Sequence, residues 1–395
     1  MPYGQLELEV LSPDLCAGCG LCVATCPESL LSMKGVKAHM LNPDRAVACG
    51  DCVICHTVCP GADPMTELEE LRLFNRQRLI AERWLGIYRG VYAGYANDST
   101  IFDQSASGGS VTALLLAAMN IMKLDAVLAV GRDPDRPGHA MGRLCRSKTE
   151  LCDACQSSYQ LFPYLEILRD LLYGREKQRI ALVGLPCHTQ AIRKLTSLPS
   201  DLGRSARDCI VFIVEIACSS NTLPAGTDAL LRREAGFGLD EVRLLRYRHG
   251  TYPGVVHVVS KSGDSVSIPF WKAVKEFKNH KTHRCLSCGD WFSGLSDIAV
   301  CDSDPNILKT SRKGNHVEKI GNIIVRTQLG EEILHWTMAQ EYLTAWPRGF
   351  GPMNWGCERK RHRRIHYEET NSPIPAGPFK GFIDLADVIS DEHFI

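Results

Sequence analysis

Residues 16–27 read CAGCGLCVATCP and residues 49–60 read CGDCVICHTVCP, so the spacing C-x2-C-x2-C-x3-C-P occurs twice near the start of the chain. Three cysteines at that interval wrap one face of an iron–sulfur cubane, because soft thiolates bind iron and the short spacing keeps them on one turn. The fourth, before proline, ends the turn and reaches across to the other cluster in two-cluster ferredoxins. The spacing therefore assigns Cys16, Cys19, Cys22 and Cys59 to one [4Fe-4S] cluster, and Cys49, Cys52, Cys55 and Cys26 to a second. Zinc ribbons use paired C-x2-C knuckles, and a third cysteine at the same interval followed by C-P does not suit tetrahedral zinc. Residues 1–65 read as a bacterial-type 2[4Fe-4S] ferredoxin module that moves electrons.

A ferredoxin does not need the rest of a chain of 395 residues. Lys plus Arg and Asp plus Glu both number 45, so net charge gives no case for nucleic acid or acidic lipid. No apolar run approaches the roughly 18 residues of a membrane span, and MPYGQLELEV lacks the pattern of a signal peptide. The expected location is the cytoplasm, with no direct membrane span. Eighteen cysteines in such a chain point to metal sites more than to disulfides.

Beyond residue 65, TELEELRLFNRQRLIAERWLG predicts a linker helix within 66–87, with Leu68, Leu71, Leu73 and Ile80 roughly on one side. Apolar runs at 87–96, 125–131, 179–185 and 209–218 read as strands. They alternate with helical stretches near 108–122, 160–173, 187–196 and 223–236, which argues for a larger α/β domain over 88–345. Residues 255–270 alternate around Ser-Gly-Asp as a hairpin, and GNIIVRT (321–327) precedes a helix near 328–340. The tail, 346–395, reads as an extended arm able to pack on a neighbouring subunit.

Two stretches in the larger domain carry chemistry. In FDQSASGGSVTALLLAAM (102–119), two glycines open an apolar helix; free N–H groups there favour a phosphate, and an ordinary loop is the bland alternative. No G-x-G-x-x-G follows a strand, so a standard dinucleotide fold is not indicated. Cys187 follows a strand and opens a helix, Cys218 ends a strand, and Cys285 and Cys288 form a C-x2-C. Strand ends of one sheet can converge, so these four are either a third cubane site or buried thiols.

QSASGGSVTALL, GLPCHTQAIRK, the C-x-x-N of Cys218 to Asn221, and CLSCGDWFSGLSDIAV together resemble the family of coenzyme F420 hydrogenase/dehydrogenase beta subunits over roughly residues 88–340. The doubled ferredoxin motif ahead of them is similar to the F420H2 dehydrogenase input subunit. The resemblance implies FAD at Ser107, Gly108, Gly109, Val111 and Thr112, with Tyr159 and Asn221 also at the cofactor. It further implies a third [4Fe-4S] cluster on Cys187, Cys218, Cys285 and Cys288. The organic substrate would be coenzyme F420 or another small molecule, and the redox partner a ferredoxin or a catalytic subunit in an oligomer.

Two departures stand out. Ser158 precedes Tyr159 where family members usually carry a basic residue, and Cys145, Cys152 and Cys155 are additional: either they are inert, or the C-x2-C of Cys152 and Cys155 is a redox-active dithiol or part of an additional metal site. His188 is the candidate proton-transferring catalytic residue, with a packed polar role as its alternative. His280 and His283 suit a solvated helix end, and ERKRHRR (358–364) suits a solvated face or docking patch. No Ser-His-Asp set or carboxylate pair is evident. The implied chemistry belongs to cofactors: FAD exchanging two electrons with an organic molecule, and clusters passing them singly.

Overall fold

The computed structural model describes residues 2–63, 66–302, 319–349 and 351–372. Each cysteine motif contains a short helix, Leu21–Ala24 in the first and Ile54–Thr57 in the second. Between the motifs runs a hairpin of β1 (Leu31–Lys34) and β2 (Lys37–Met40). Gly20 has φ 81°, a region that suits a residue without Cβ; a Cβ there would also stand 3.0 Å from Pro163 of the larger domain. The ferredoxin module is thus docked rather than tethered.

Named bonds hold that docking. Leu165 N–H donates to the Cys19 carbonyl at 2.7 Å, Arg169 to the Cys26 carbonyl at 2.7 Å, and the Tyr173 hydroxyl to the Thr25 carbonyl at 2.9 Å. Lys194 donates to the Cys59 carbonyl at 3.1 Å and Arg284 to the Pro60 carbonyl at 3.0 Å. Leu21, Ala24 and Val58 share one apolar cluster with Leu168, Leu171 and Ile192. These groups leave water together, so the module and the domain share a core.

The larger domain is built on an eight-stranded mixed sheet. Its strands are β3 (Gly90–Ala96), β4 (Ala126–Arg132), β5 (Ala140–Cys145), β6 (Ile180–Gly184) and β7 (Ile210–Ile216), followed by β11 (Ile298–Asp302), β12 (Gly321–Val325) and β13 (Leu343–Pro347). The order is β13-β3-β12-β11-β7-β6-β4-β5. Neighbours β4, β6, β7 and β11 are parallel, and the flanking pairs are antiparallel. Residues of β6 are buried along its whole length, as a central parallel strand covered on both faces requires. Alternation on β4 shows the two faces: Val127 and Ala129 pack with helices Ser110–Met122 and Gln328–Ala339, while Ala126 and Leu128 pack with Leu168–Tyr173 and Pro186–Thr196. A separate antiparallel sheet, β8 (Val242–His249), β9 (Val255–Ser260) and β10 (Ser265–Pro269), is covered by Pro224–Glu234 and Phe270–Phe277.

The four expected strand runs, the hairpin, and the helices near 110, 187, 224 and 328 are all present. The mixed α/β class with an N-terminal ferredoxin-like module holds. Three readings need correction. The linker helix spans only Glu67–Phe74, and its expected apolar side faces water, with Leu68, Leu71 and Ile80 exposed. Glu70 is buried instead, because both its oxygens accept from Arg78, at 2.6 and 2.7 Å. The 160–173 stretch is helical only at Leu168–Tyr173, since its first half makes the Cys19 and Gln160–Thr222 contacts. The tail is no extended arm over its described part: it completes β13 and forms a 20-residue helix, Gly351–Thr370. Met353 and Cys357 bury that helix against Phe292 and Ile324 of the same chain. Most of NSPIPAGPFKGF lies outside the described residues.

The Glu70–Arg78 pair generates a stability prediction. Glu70→Gln keeps the shape but leaves a largely buried guanidinium without its counter-charge, which costs about 3 kcal/mol. The urea midpoint of anaerobic protein should fall accordingly; an unchanged midpoint would show that the pair does not anchor the linker.

Candidate functional site

The twelve expected metal-binding cysteines form three groups of four. In the first, the thiols of Cys19 and Cys22 are pushed up by burial and then by their neighbours, Cys59 and Cys16 acting on both; Cys19 reaches about 12. In the second, burial and then Cys52, Cys26 and Cys49 push Cys55 to about 12. Cys59 stands near Cys19 and Cys22 of the first motif, and Cys26 near Cys49 and Cys55 of the second. Cys55 also acts on Cys22, so the groups adjoin.

Burial of four like-charged groups has a chemical meaning. Four thiolates cannot share one desolvated place without a compensating cation. Among the described residues, no three His, Cys, Asp or Glu side chains converge on a single ion position. Instead Cys16, Cys19, Cys22 and Cys59 line a recess, floored by Leu6, Val10 and Leu21, with about 360 Å³ not filled by atoms, part of it open to solvent. Backbone N–H groups aim at the sulfurs: Gly18 at Cys16 (3.5 Å), Leu30 at Cys26 (3.3 Å) and Gly61 at Cys59 (3.4 Å). Soft ligands, an apolar wall and N–H donors to sulfur fit an iron–sulfur cluster.

The third group forms at the carboxyl edge of the parallel strands. Cys187 sits in the first turn of Pro186–Thr196, just after β6, and Cys218 follows β7, its N–H donating to the Trp291 carbonyl at 3.0 Å. Cys285 lies in helix His283–Ser287, whose cap Thr282 accepts from the Cys285 N–H, and Cys288 ends that helix. Burial pushes Cys187 well up, with Cys218, Cys19, Cys288 and Cys285 adding to it. The influence of Cys19 matters, because it places the third group beside the first. The Asp290 N–H donates to the Cys288 sulfur at 3.4 Å.

The glycine loop lies on the same edge, after β3. Gly108 and Gly109 have φ 76° and 77°, and Ser110–Met122 starts at Gly109 with no side-chain cap, leaving its positive end open. The reason for glycine differs from the expected one. A Cβ at Gly108 would stand 2.6 Å from the Lys319 carbonyl and one at Gly109 2.7 Å from Ile101 Cγ2, so the chain itself needs the space. Ser107 donates to the Ile320 carbonyl at 2.5 Å, Thr112 to the Cys155 sulfur at 3.1 Å, and Val111 packs against the core.

Sequence reasoning missed the cations near this loop. Lys319 donates to the Asp103 carbonyl, and it lies near both Cys155 and Arg248. Arg248, on β8, is buried and donates to Asp302 at 3.0 Å and to the Tyr159 hydroxyl at 3.3 Å. A guanidinium therefore stands beside Tyr159 although Ser158 precedes it in sequence. The two residues are 89 positions apart, so their meeting in space left no local signal. Asn221 is spent on backbone: it donates to the Gln160 carbonyl at 3.2 Å and accepts from Thr222 N–H at 2.9 Å.

His188 is buried, its ring stacked on Tyr164 at 5.0 Å and accepting from the Leu185 N–H at 3.3 Å. Burial pushes its pKa down to about 4, so the ring is neutral near pH 7. That geometry supports the packed role over the proton shuttle. Cys145 and Cys155 are core residues, and burial raises the pKa of Cys145, Cys152 and Cys155, which suits inert thiols. His280 meets Glu276 at 3.1 Å, and His283 packs edge-on to Tyr367. The basic run is not simply a solvated face: Lys360 and Arg363 are buried. No helix among the described residues is long and apolar enough to cross a membrane.

Two family models of the coenzyme F420 hydrogenase/dehydrogenase beta subunit match the chain, that of its N-terminal part at residues 91–169 and that of its C-terminal part at 177–348. A "4Fe-4S binding domain" model matches 9–31. The beta subunit of coenzyme F420 hydrogenase from Methanococcus voltae is 27% identical over 215 residues, 54% of this chain and 72% of that protein. An F420H2 dehydrogenase subunit of Methanosarcina mazei is 23% identical over 302 residues, 74% of this chain and 76% of that one. A chain of the F420-reducing [NiFe] hydrogenase complex from Methanosarcina barkeri shares the fold, with a TM-score of 0.59 at 19% identity over 75% of this chain and 98% of its own. With both halves of one family matched across more than half of its length, this chain belongs to the family of coenzyme F420 hydrogenase/dehydrogenase beta subunits and carries a 4Fe-4S binding segment ahead of them.

Proposed function

We propose that this chain is an iron–sulfur flavoprotein oxidoreductase, passing electrons between a small organic molecule at FAD and three [4Fe-4S] clusters. The observation that carries the reading is the line of three four-thiol groups, the last of them on the sheet edge that also bears the uncapped glycine-loop helix. When bound, FAD would exchange electrons pairwise with the organic molecule and singly with clusters. Coenzyme F420 is the substrate class that the relatives' names favour, and a redox protein, either a ferredoxin or a catalytic subunit, is the partner.

The chain's residues have distinct tasks. Cys16, Cys19, Cys22 and Cys59, then Cys26, Cys49, Cys52 and Cys55, then Cys187, Cys218, Cys285 and Cys288 hold the three clusters. Gly108 and Gly109 turn the chain so that open N–H groups of the Ser110–Met122 helix face an anionic diphosphate, and Lys319 adds a cation there. Arg248, near Lys319, donates to the Tyr159 hydroxyl and fixes that ring beside the loop. His188 fixes the turn that carries Cys187. Two residues of the second group, Cys49 and Cys52, lie on the largely exposed 41–53 segment, where an external protein can approach.

Cofactor load tests the count. Anaerobic protein should carry about twelve irons and one flavin per chain, four irons for each four-cysteine site. About eight irons would remove the third cluster.

Cys288→Ser puts a harder ligand on iron and should cut the content to about eight while the outer groups keep theirs. Full iron in that variant would mean that Cys288 holds none.

Glycine variants would strain the backbone whether or not flavin binds, so Lys319 is the cleaner probe of the loop. Lys319→Met removes a charge-assisted hydrogen bond worth about 1.5 kcal/mol and should weaken flavin retention about tenfold with iron unchanged. Wild-type retention would place the diphosphate elsewhere.

A further inference from the structure

Buried cations are distributed unevenly among the three thiol groups. Around the third, Arg284 is 3% exposed, Lys360 1% and Arg363 5%. Arg284 precedes Cys285 in its helix, and its Nη2 reaches the Pro60 carbonyl at 3.0 Å, so it stands between the third group and Cys59; its Nε has no hydrogen-bond partner among the described residues. Arg363 donates to the Ser219 carbonyl at 2.9 Å, one residue from Cys218. The helix bearing Lys360 and Arg363 packs on His283–Ser287, and a Cβ on Gly289 would meet Arg364 Cβ at 2.7 Å, so the two segments are in close contact. The electrostatic neighbours agree: Arg363 faces Cys288, Cys285 and Cys218, Lys360 faces Cys218, and Arg284 faces Cys288 and Cys187 before Cys59. Lys281, bonded to Ser220, adds a further positive charge near Cys218.

The opposing charge is Asp290, whose Oδ2 lies 3.6 Å from the Cys288 sulfur and accepts from Gln190 at 3.1 Å. It is one carboxylate against three buried cations. The ferredoxin module is different. None of its own basic residues is buried, Lys37 pairs with Asp14 and His56 with Glu9, both at 2.7 Å, and one buried cation of the larger domain, Lys194, meets the first group on the Cys59 carbonyl at 3.1 Å. Exposed pairs are screened and contribute little at a distance, whereas buried charges act through a low dielectric.

We infer that Arg284, Lys360 and Arg363 form a cationic collar that makes the third thiol group's cluster the most easily reduced of the three. The inference rests on the proposed twelve-cysteine reading and adds an energetic direction to it. Each added electron places one more negative charge on a unit that four thiolates already make anionic. Three buried cations held against that unit favour the added charge, so electrons supplied by a one-electron carrier protein at the outer group settle at the third group, on the sheet edge that bears the glycine loop.

The test is an EPR-monitored redox titration of the full chain with its clusters, reading midpoint potentials rather than turnover. The third cluster's signal is the one that Cys288→Ser abolishes. Lys360→Met and Arg363→Gln should each shift that midpoint to lower potential, leave the other two in place and keep about twelve irons. Arg284→Met should do the same and Arg284→Lys should restore it; if Arg284→Met does not fold, the two helix variants still decide. An unmoved third midpoint at full iron would overturn the collar alone, as would equal movement of all three or loss of iron from the third site. About eight irons in the unaltered protein would overturn the twelve-cysteine reading together with the collar.

Discussion

Cys187 and Cys218 meet because the parallel strands β6 and β7 end at one edge, and the segment of Cys285 and Cys288 is held to that edge where the Cys218 N–H donates to the Trp291 carbonyl. β6 delivers Cys187, β7 delivers Cys218, and the loop before β11 delivers the C-x2-C pair. Direction matters here: were β7 antiparallel to β6, Cys218 would emerge at the opposite edge of the sheet. Open α/β sheets place their ligand sites at this edge for the same reason. The glycine loop arrives there after β3, which runs with β11 because each is antiparallel to β12.

The ferredoxin module extends this edge outward. Its docking bonds use backbone carbonyls of Cys19, Cys26, Cys59 and Pro60, or of residues beside them, so the contacts that orient the module are made by the cysteine loops themselves. A shift of the module would move those loops and the thiols they carry at once. That arrangement explains why Gly20 faces Pro163, and why Lys194 is buried with its ammonium on two carbonyls, those of Cys59 and Asp63. Burial lowers the pKa of Lys194, yet its hydrogen bonds to the module persist in either protonation state.

Much of this was legible in sequence, for identifiable reasons. The crossed pairing of Cys26 and Cys59 is read from a local spacing, and β6 and β7 are short, almost entirely apolar runs of the kind that buried parallel strands carry. The strands missed, β1, β2, β5, β8, β11 and β13, are short or mixed, and tertiary pairing decides them. The 67–74 helix misled because a leucine pattern outweighed Glu70, whose burial depends on Arg78 across a turn. The basic run 358–364 misled similarly: charge count suggested water, but the helix that carries it turns Lys360 and Arg363 inward. A cation is as much at home against thiolates as in solvent, and composition alone does not distinguish the two.

The central claim is adjacency: the third thiol group stands next to the first, and the first next to the second. Low-temperature EPR of the fully reduced protein tests it most directly, because paramagnetic clusters that neighbour one another split and broaden each other's signals. The account predicts an interaction spectrum in the unaltered protein that simplifies when the first group is disrupted through Cys19, since the two that remain are then separated. A spectrum equal to the plain sum of independent clusters, unchanged in form by that disruption, would contradict it.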